Sequence, residues 1–192
     1  MDNNDQIFSI QELEKAPRCT YVEVFTVRQV YRGYAVHDIS ERLLDILNNG
    51  SIVNKSELTD DFLPLTEVEI FDLDGKKVDA TANCLLNKNN TLVVAECRIL
   101  NGELPPSKPF RYTQFQRKKS VWVNILVQDL TIAGQVYVDQ NNASITALEV
   151  DGIFLPVTKA TISSKLSSPY PEYDFLAVNK NQVISIAETT ML

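Results

Sequence analysis

Short runs of β-branched and aromatic residues, broken by turn residues, recur along most of this chain. Residues 21–27 partly alternate between apolar and polar side chains and predict a strand, and residues 30–36 predict its partner. Gly33 lies inside that partner, where a lone glycine usually marks a bulge or a sharp bend. The pattern is typical of a mainly β protein built from short strands.

The same pattern returns about a hundred residues later. The spacing from Val22 to Gly33 is repeated between Val123 and Gly134. Residues 62–70 then match residues 154–162, with five of the nine positions identical around a shared Phe-Leu-Pro-x-Thr segment. Agreement at that level, at the same place in two similar strand patterns, predicts that the chain contains two repeats.

A third match closes each predicted repeat, because residues 92–95 resemble residues 176–179 as the start of a late apolar strand. Before the first repeat, a capping-box pattern at Ser9 and Glu12 predicts a short helix that ends at Pro17. Between the repeats lies a proline-containing stretch that cannot be helical throughout. We therefore divide the chain into an N-terminal helix (1–17), a first β repeat (18–100), a linker (101–118) and a second β repeat (119–192).

The two repeats differ at one insertion. Ile39, Leu43 and Leu47 recur every four residues, which predicts a helix over residues 40–48 that Gly50 ends. The second repeat has only residues 139–142 at that point, which predicts a turn. We expect this apolar helical flap to be a candidate protein interface, formed by Leu43, Leu44 and Leu47.

About five short strands per repeat suit a small closed or nearly closed β-barrel, since closure removes exposed strand edges. The predicted fold is thus two tandem small β-barrels, of Sm-like or SH3-like type. A sandwich built jointly by both repeats is the alternative.

Three segments carry a resemblance to a known family. Residues 42–48 (Arg-Leu-Leu-Asp-Ile-Leu-Asn), residues 62–70 and residues 175–180 (Phe-Leu-Ala-Val-Asn-Lys) together resemble a family of small bacterial β-barrel domains of unknown function. The layout is also similar to that of Sm-like small barrels. The resemblance implies a fold and a bacterial source, and it supplies no activity.

Composition and charge narrow the possible partners. The net charge is −7, all of it in residues 1–100, and an acidic chain repels phosphate backbones at long range. No run is apolar enough to span a bilayer, and the first residues lack the pattern of a secretory signal. Cys19, Cys84 and Cys97 match no zinc or redox spacing, so we expect reduced thiols in a cytoplasmic protein.

The sequence offers little chemistry for catalysis. His37 is the one histidine, and although Asp38, Glu41 and Asp45 lie near it, charge clusters of this size usually face water. Residues 72–75 (Asp-Leu-Asp-Gly) predict a hairpin turn rather than a calcium loop, because no glutamate follows at the required distance. We expect no catalytic residues, no metal and no cofactor, and hence a protein that is not an enzyme.

One basic stretch, residues 108–119, combines five basic residues with three aromatic ones. A stretch of this composition can bind single-stranded RNA or DNA through charge and base stacking. It can also be a linker whose aromatic rings pack on a barrel. The candidate nucleic-acid contacts are Lys108, Arg111, Tyr112, Phe115, Arg117, Lys118 and Lys119.

These observations favour a non-enzymatic protein-interaction or scaffold module over the other function classes. Its partner is expected to be another protein or a second copy of the same chain. Binding of single-stranded nucleic acid through residues 108–119 is the alternative, and an enzyme ranks last because no nucleophile–base pair or metal set is present.

Overall fold

The computed structural model describes residues 18–38, 40–50, 60–97, 118–139, 144–145, 148, 152–163 and 172–189. The predicted N-terminal helix and, apart from residue 118, the predicted linker lie outside these ranges. So does the turn predicted at residues 139–142, apart from residue 139.

The described chain is almost entirely β-strand, as the sequence pattern predicts. The strands are β1 (Arg18–Thr26), β2 (Val30–His37), β3 (Phe62–Phe71), β4 (Lys77–Asn87), β5 (Thr91–Glu96), β6 (Lys118–Val127), β7 (Leu130–Asp139), β8 (Phe154–Ser163), β9 (Tyr173–Asn179) and β10 (Val183–Glu188). One α-helix, α1 (Leu43–Asn49), follows β2, and 3₁₀ turns at Lys88–Asn90 and Lys180–Gln182 join β4 to β5 and β9 to β10. No helix in the described ranges is both long and apolar enough to cross a bilayer.

All ten strands form one sheet in the order β10-β6-β7-β8-β9-β5-β1-β2-β3-β4, and every pairing is antiparallel. The strand order within each half is the same, because β5-β1-β2-β3-β4 in the first half corresponds to β10-β6-β7-β8-β9 in the second. The halves meet where β5 pairs with β9. We call this pairing the joint.

The joint also explains why the predicted pair of closed barrels is not what the structure shows. Closing the first half on itself requires β5 to pair with β4, and closing the second requires β9 to pair with β10. A strand has only two hydrogen-bonding edges. β5 uses its two edges on β1 and β9, and β9 uses its two edges on β8 and β5, so neither has an edge left with which to close its half. The sheet in the described residues is therefore continuous and open.

The two strands of the joint are buried on both faces. Side chains alternate between the faces of a strand, and here Val94 and Ala177 lie in one core cluster while Val93 and Leu176 lie in the other. The cluster that contains Val94 and Ala177 is built mainly from the first half, and the cluster that contains Val93 and Leu176 is built mainly from the second. A continuous apolar run is what a strand covered on both sides requires.

The strand order overturns the third match between the predicted repeats. Residues 92–95 lie in β5 and residues 176–179 lie in β9, so they are the fifth strand of one half and the fourth strand of the other. They face each other across the joint, with Val93 opposite Val178 and Val94 opposite Ala177. Their sequences are alike because both strands are covered on two faces, and not because they occupy equivalent positions.

Both glycines singled out in the sequence lie at irregularities in the strand pairing. The register between β2 and β3 shifts at Gly33, and the register between β7 and β8 shifts at Gly134. The residues bulged on the partner strands, Glu67 and Lys159, have φ angles of 51° and 49°. The bulge predicted at Gly33 is confirmed, and Gly134 lies at a matching bulge in the other half.

The predicted helical insertion is also present. α1 begins after Arg42, whose backbone N–H donates to the carboxylate of Asp45, and it ends at Gly50, whose φ of 75° suits glycine. Its buried side chains, Leu43, Ile46 and Leu47, face the core of the first half.

We expect Gly33→Ala to destabilise the protein by about 1–3 kcal/mol, the usual cost of overpacking. A Cβ atom at this position would lie 2.9 Å from the backbone oxygen of Thr66, and the backbone cannot rotate away as a side chain can. Urea unfolding measures the change. The exposed strand substitution Ser120→Ala is the control and should leave stability within about 0.5 kcal/mol; equal stability of both variants would contradict the prediction.

Candidate protein-interaction site

The leucines proposed from the sequence as a protein interface belong to the interior. Leu43 and Leu47 are buried in the core of the first half, and Leu44 is half-buried and packs against the same core. The pattern therefore identified an apolar helix face correctly, but in the described chain that face covers the protein's own sheet. Contact of these leucines with a partner remains an untested prediction.

His37 is held by the fold through both ring nitrogens. Its Nδ1 lies 2.9 Å from the carbonyl oxygen of Asp38, which can only accept, so Nδ1 carries the proton. Its Nε2 is hydrogen-bonded to the hydroxyl of Thr20 at 2.8 Å. The ring is buried, and its contact with Thr20 ties the end of β2 to β1.

The acidic residues near His37 make local structural contacts. Asp38 accepts from the backbone and hydroxyl of Ser40, and these hydrogen bonds lower the pKa of the Asp38 carboxyl. The Glu41 carboxylate accepts from the Asp38 backbone, and Asp45 pairs with Arg42. Within the part of the chain that the structure describes, no three His, Cys, Asp or Glu side chains are grouped closely enough to hold a metal ion.

The acidic segment 72–75 forms the predicted hairpin turn between β3 and β4. The carboxylate of Asp72 accepts from the backbone N–H groups of Asp74 and Lys76 at 3.1 and 2.8 Å. Gly75 takes a φ of 80°, which few residues other than glycine adopt. The Asp72 side chain is thus used by the turn itself.

Only the end of the basic stretch 108–119 falls within the described residues. Lys118 and Lys119 are exposed at the start of β6, with Lys118 opposite Asp139 on β7. The other candidate nucleic-acid contacts, from Lys108 to Arg117, lie outside the described residues.

The two ends of the sheet are the most accessible strands of the molecule. β4 ends the sheet on one side and β10 on the other, and among the described residues no strand pairs with the outer edge of either. Large apolar side chains are exposed on these strands, namely Val78 (49% exposed), Leu85 (53%) and Ile184 (62%). An open strand edge with exposed apolar side chains is a template for pairing with another chain.

The joint shows how edges of this kind pair in this protein. Three residue pairs align β5 with β9, and side-chain amides then add hydrogen bonds from one half to the other. Asn179 Nδ2 donates to the carbonyls of Lys88 and Thr91 at 3.0 and 2.9 Å, and Gln182 Nε2 donates to the carbonyl of Asn89 at 3.0 Å. The turn that follows the fourth strand therefore strengthens the edge pairing.

A buried ionic network also links the halves. Glu23 on β1 is fully buried, and its carboxylate accepts from the hydroxyl of Tyr173 on β9 and from the guanidinium of Arg32 on β2. The same guanidinium lies 4.1 Å from the ring centroid of Phe71. A carboxylate buried to this degree needs both partners, since leaving one buried charge unpaired is strongly destabilising.

Asn48 at the end of α1 makes a third link between the halves. Its Oδ1 accepts from the backbone N–H groups of Ile153 and Phe154 at 3.0 and 2.8 Å, and its Nδ2 donates to the carbonyl of Phe154. Gly152 makes room for it, because a Cβ there would lie 2.4 Å from the Asn48 Cγ. The helix of the first half thereby fixes the start of β8 in the second.

Lys88 and Lys180 occupy the same place in the two 3₁₀ turns but have opposite environments. Lys88 is buried, and its Nζ donates to the carbonyl of Ile46 in α1 at 2.8 Å, whereas Lys180 is exposed. Burial lowers the pKa of Lys88, while Asp60 and Asp61 act weakly in the opposite direction. The difference follows from α1, which covers Lys88.

Sequence reasoning missed the residues that build the joint. Asn179, Tyr173 and Asn48 act through partners far away in the chain, which composition and periodicity do not report. One signal was present, since Asn-Lys-Asn occurs at residues 87–89 and again at 179–181. In both places the asparagine side chain accepts from the backbone two residues later, which shapes the 3₁₀ turn.

Comparisons of the chain with protein-family models, with curated proteins and with solved structures found no match. The resemblance of residues 42–48, 62–70 and 175–180 to a bacterial domain family therefore stays a prediction from the sequence. What the site can do has to be argued from its own geometry.

We expect Arg32→Met to lower stability by about 3–5 kcal/mol, because the Glu23 carboxylate then stays buried without its cation. Tyr173→Phe removes one hydrogen bond to that carboxylate and should cost about 1.5–3 kcal/mol. Urea unfolding measures both, with Tyr34→Phe as the matched control. Adding Glu23→Gln to Arg32→Met should recover part of the loss, and a further loss instead would show that Glu23 does not depend on Arg32.

The lowered pKa of Lys88 predicts an alkaline dependence of stability. The folded chain binds this proton less tightly than the unfolded chain, so unfolding becomes less favourable as the pH rises from the lowered pKa towards the ordinary value of 10.5. Wild type should therefore gain stability relative to Lys88→Met across that interval. Lys180→Met removes the exposed lysine at the equivalent place in the other 3₁₀ turn and is the control; an equal gain relative to both variants would refute the assignment.

Proposed function

We propose that this protein is a non-enzymatic interaction module that binds another protein chain by pairing a strand with an open edge of its sheet. The observation that carries this proposal is the pair of end strands, β4 and β10. Each offers unpaired backbone groups on its outer side, within the described residues, together with exposed aliphatic side chains. Edge pairing draws its affinity from main-chain hydrogen bonds and its specificity from alternate side chains.

The length and exposure of β4 support its role as a docking strand. It has eleven residues, of which Lys77–Asn83 are all exposed. Proteins that avoid edge pairing usually shorten such a strand, cover it or place charges along it. Here residues 80–86 carry no charge, and Leu85, near the end of that stretch, has half of its surface exposed.

The proposal includes the interpretation of the two halves as repeats of one small-barrel unit. The same strand order in both halves, and bulges at Gly33 and Gly134, support this interpretation. Phe62 and Phe154 also each begin the third strand of their half and lie opposite Asn87 and Asn179. A repeated unit of this kind carries two similar sets of edges, as a scaffold requires.

The residues that suggested other chemistry have structural partners instead. His37 is buried with both ring nitrogens hydrogen-bonded, and Asp72 is used by a turn. Of the basic stretch, Lys118 and Lys119 alone are described, and two exposed lysines do not form a groove that follows a nucleic-acid backbone. These observations favour a binding role through the strand edges.

Photo-crosslinking tests the proposal directly. A photoreactive amino acid placed at Leu85 or at Ile184 should capture a protein chain in cells of the native host, whether that chain is a foreign protein or another copy. The control is the same amino acid at Thr131, which is exposed on an interior strand that is paired on both sides. Absence of any protein adduct from both edges would overturn the proposal, as would equal capture from Thr131.

A further inference from the structure

We infer that the partner of each edge is a second copy of this chain, with β10 of one copy pairing antiparallel with β4 of the next. This inference rests on the proposed function and names its partner. The structural basis is that the joint already pairs a fifth strand with a fourth strand. The two edges left open are a fourth strand and a fifth strand, so a second copy can repeat the same contact.

The open strand β4 corresponds to β9 residue by residue. Within the first half Leu63 lies opposite Leu86 and Pro64 opposite Leu85, and within the second half Leu155 lies opposite Val178 and Pro156 opposite Ala177. Leu85 is therefore the counterpart of Ala177. Ala177 is fully buried in the joint, whereas Leu85 is 53% exposed at the end of the sheet.

The open strand β10 corresponds to β5 in the same way. Glu96 lies opposite Val22 and Glu188 opposite Val123, and each strand carries a register shift near its start. Leu92 and Ile184 are counterparts at that shift. Leu92 is 3% exposed and belongs to the core cluster built mainly from the second half, whereas Ile184 is 62% exposed. Both open edges thus expose an apolar residue at a position that the joint buries.

These correspondences fix the register of the proposed contact. In the joint, Val94 lies opposite Ala177. The equivalent pair between two copies is Ile186 of β10 opposite Leu85 of β4, with Ser185 opposite Leu86 and Ala187 opposite Cys84 on either side. Large aliphatic side chains facing each other across an antiparallel pair are favourable.

A side-chain amide is also in place for the contact between copies. Asn87 is the counterpart of Asn179, and its Oδ1 accepts from the Asn89 backbone as Asn179 Oδ1 does from Asn181. Asn179 Nδ2 donates across the joint, but Asn87 Nδ2 has no hydrogen-bond partner among the described residues. In the proposed contact it donates to the carbonyls of Lys180 and Val183 in the next copy, which are the counterparts of Lys88 and Thr91.

The contact between copies is weaker than the joint. The positions equivalent to Glu23 and Tyr173 are Asn124 and Thr81, which are uncharged and exposed. The buried ionic link of the joint therefore has no equivalent between copies. We expect association that depends on protein concentration, and because each copy joins β10 to β4, the assembly either closes into a ring or extends as a filament.

Two edge variants of the full chain provide the test, each measured by light scattering coupled to size exclusion at several concentrations. Wild type should associate, and Leu85→Asp alone and Ile184→Asp alone should be monomeric, because each blocks one edge with a charge. Mixing the two variants should form a 1:1 dimer, since each supplies the edge that the other has lost. Circular dichroism checks that both variants remain folded, as expected for exposed positions.

Thr131→Asp is the control, because it places the same charge at an exposed position on β7, an interior strand that is paired on both sides. It should associate like wild type. Monomeric wild type at every concentration overturns the inference, as does an unchanged assembly of either edge variant or a mixture that stays monomeric. Crosslinks from Leu85 and Ile184 to a foreign protein, with wild type monomeric, would refute only the second copy as partner and leave the proposed function standing.

Discussion

The pairing of β5 with β9 is the interaction on which the rest of this structure depends. Each of these strands uses one of its hydrogen-bonding edges to pair with the other, so neither half can close on itself and the sheet stays open. Both strands are also covered on two faces, which accounts for the unbroken apolar runs at residues 92–95 and 176–178. One contact therefore determines the topology, the placement of the two cores and the position of the free edges.

Polar groups define the register of this contact. A slip of one residue would move every side chain to the opposite face. It would also separate Asn179 from the two carbonyls that it binds and the Tyr173 hydroxyl from Glu23. Apolar pairs such as Val93 with Val178 tolerate several alignments, whereas these hydrogen bonds are formed in only one. The buried polar residues thus specify the alignment, while the apolar area supplies most of the free energy.

The sequence predicted features that depend on neighbours in the chain. The bulge at Gly33, the turn at residues 72–75 and the helix ended by Gly50 follow from local chemistry, and the structure has all three. The sequence does not show which surface an apolar pattern covers. The face of α1 reads the same whether it packs on its own sheet or on a partner, and β5 resembles β9 because of shared burial. Contacts such as Asn48 with Phe154, more than a hundred residues apart, leave no local pattern at all.

The joint has a consequence for synthesis on the ribosome. β5 ends at Glu96 and its partner β9 begins at Tyr173, about 77 residues further along the chain. At about 5–20 residues per second, the first half waits on the order of 4–15 s with one edge of β5 unpaired and one of its faces uncovered. A nascent chain in this state exposes an apolar strand to every other nascent chain nearby. Folding of this protein therefore depends on how fast the ribosome translates the segment between these two strands. It also depends on any chaperone that covers β5 during that interval.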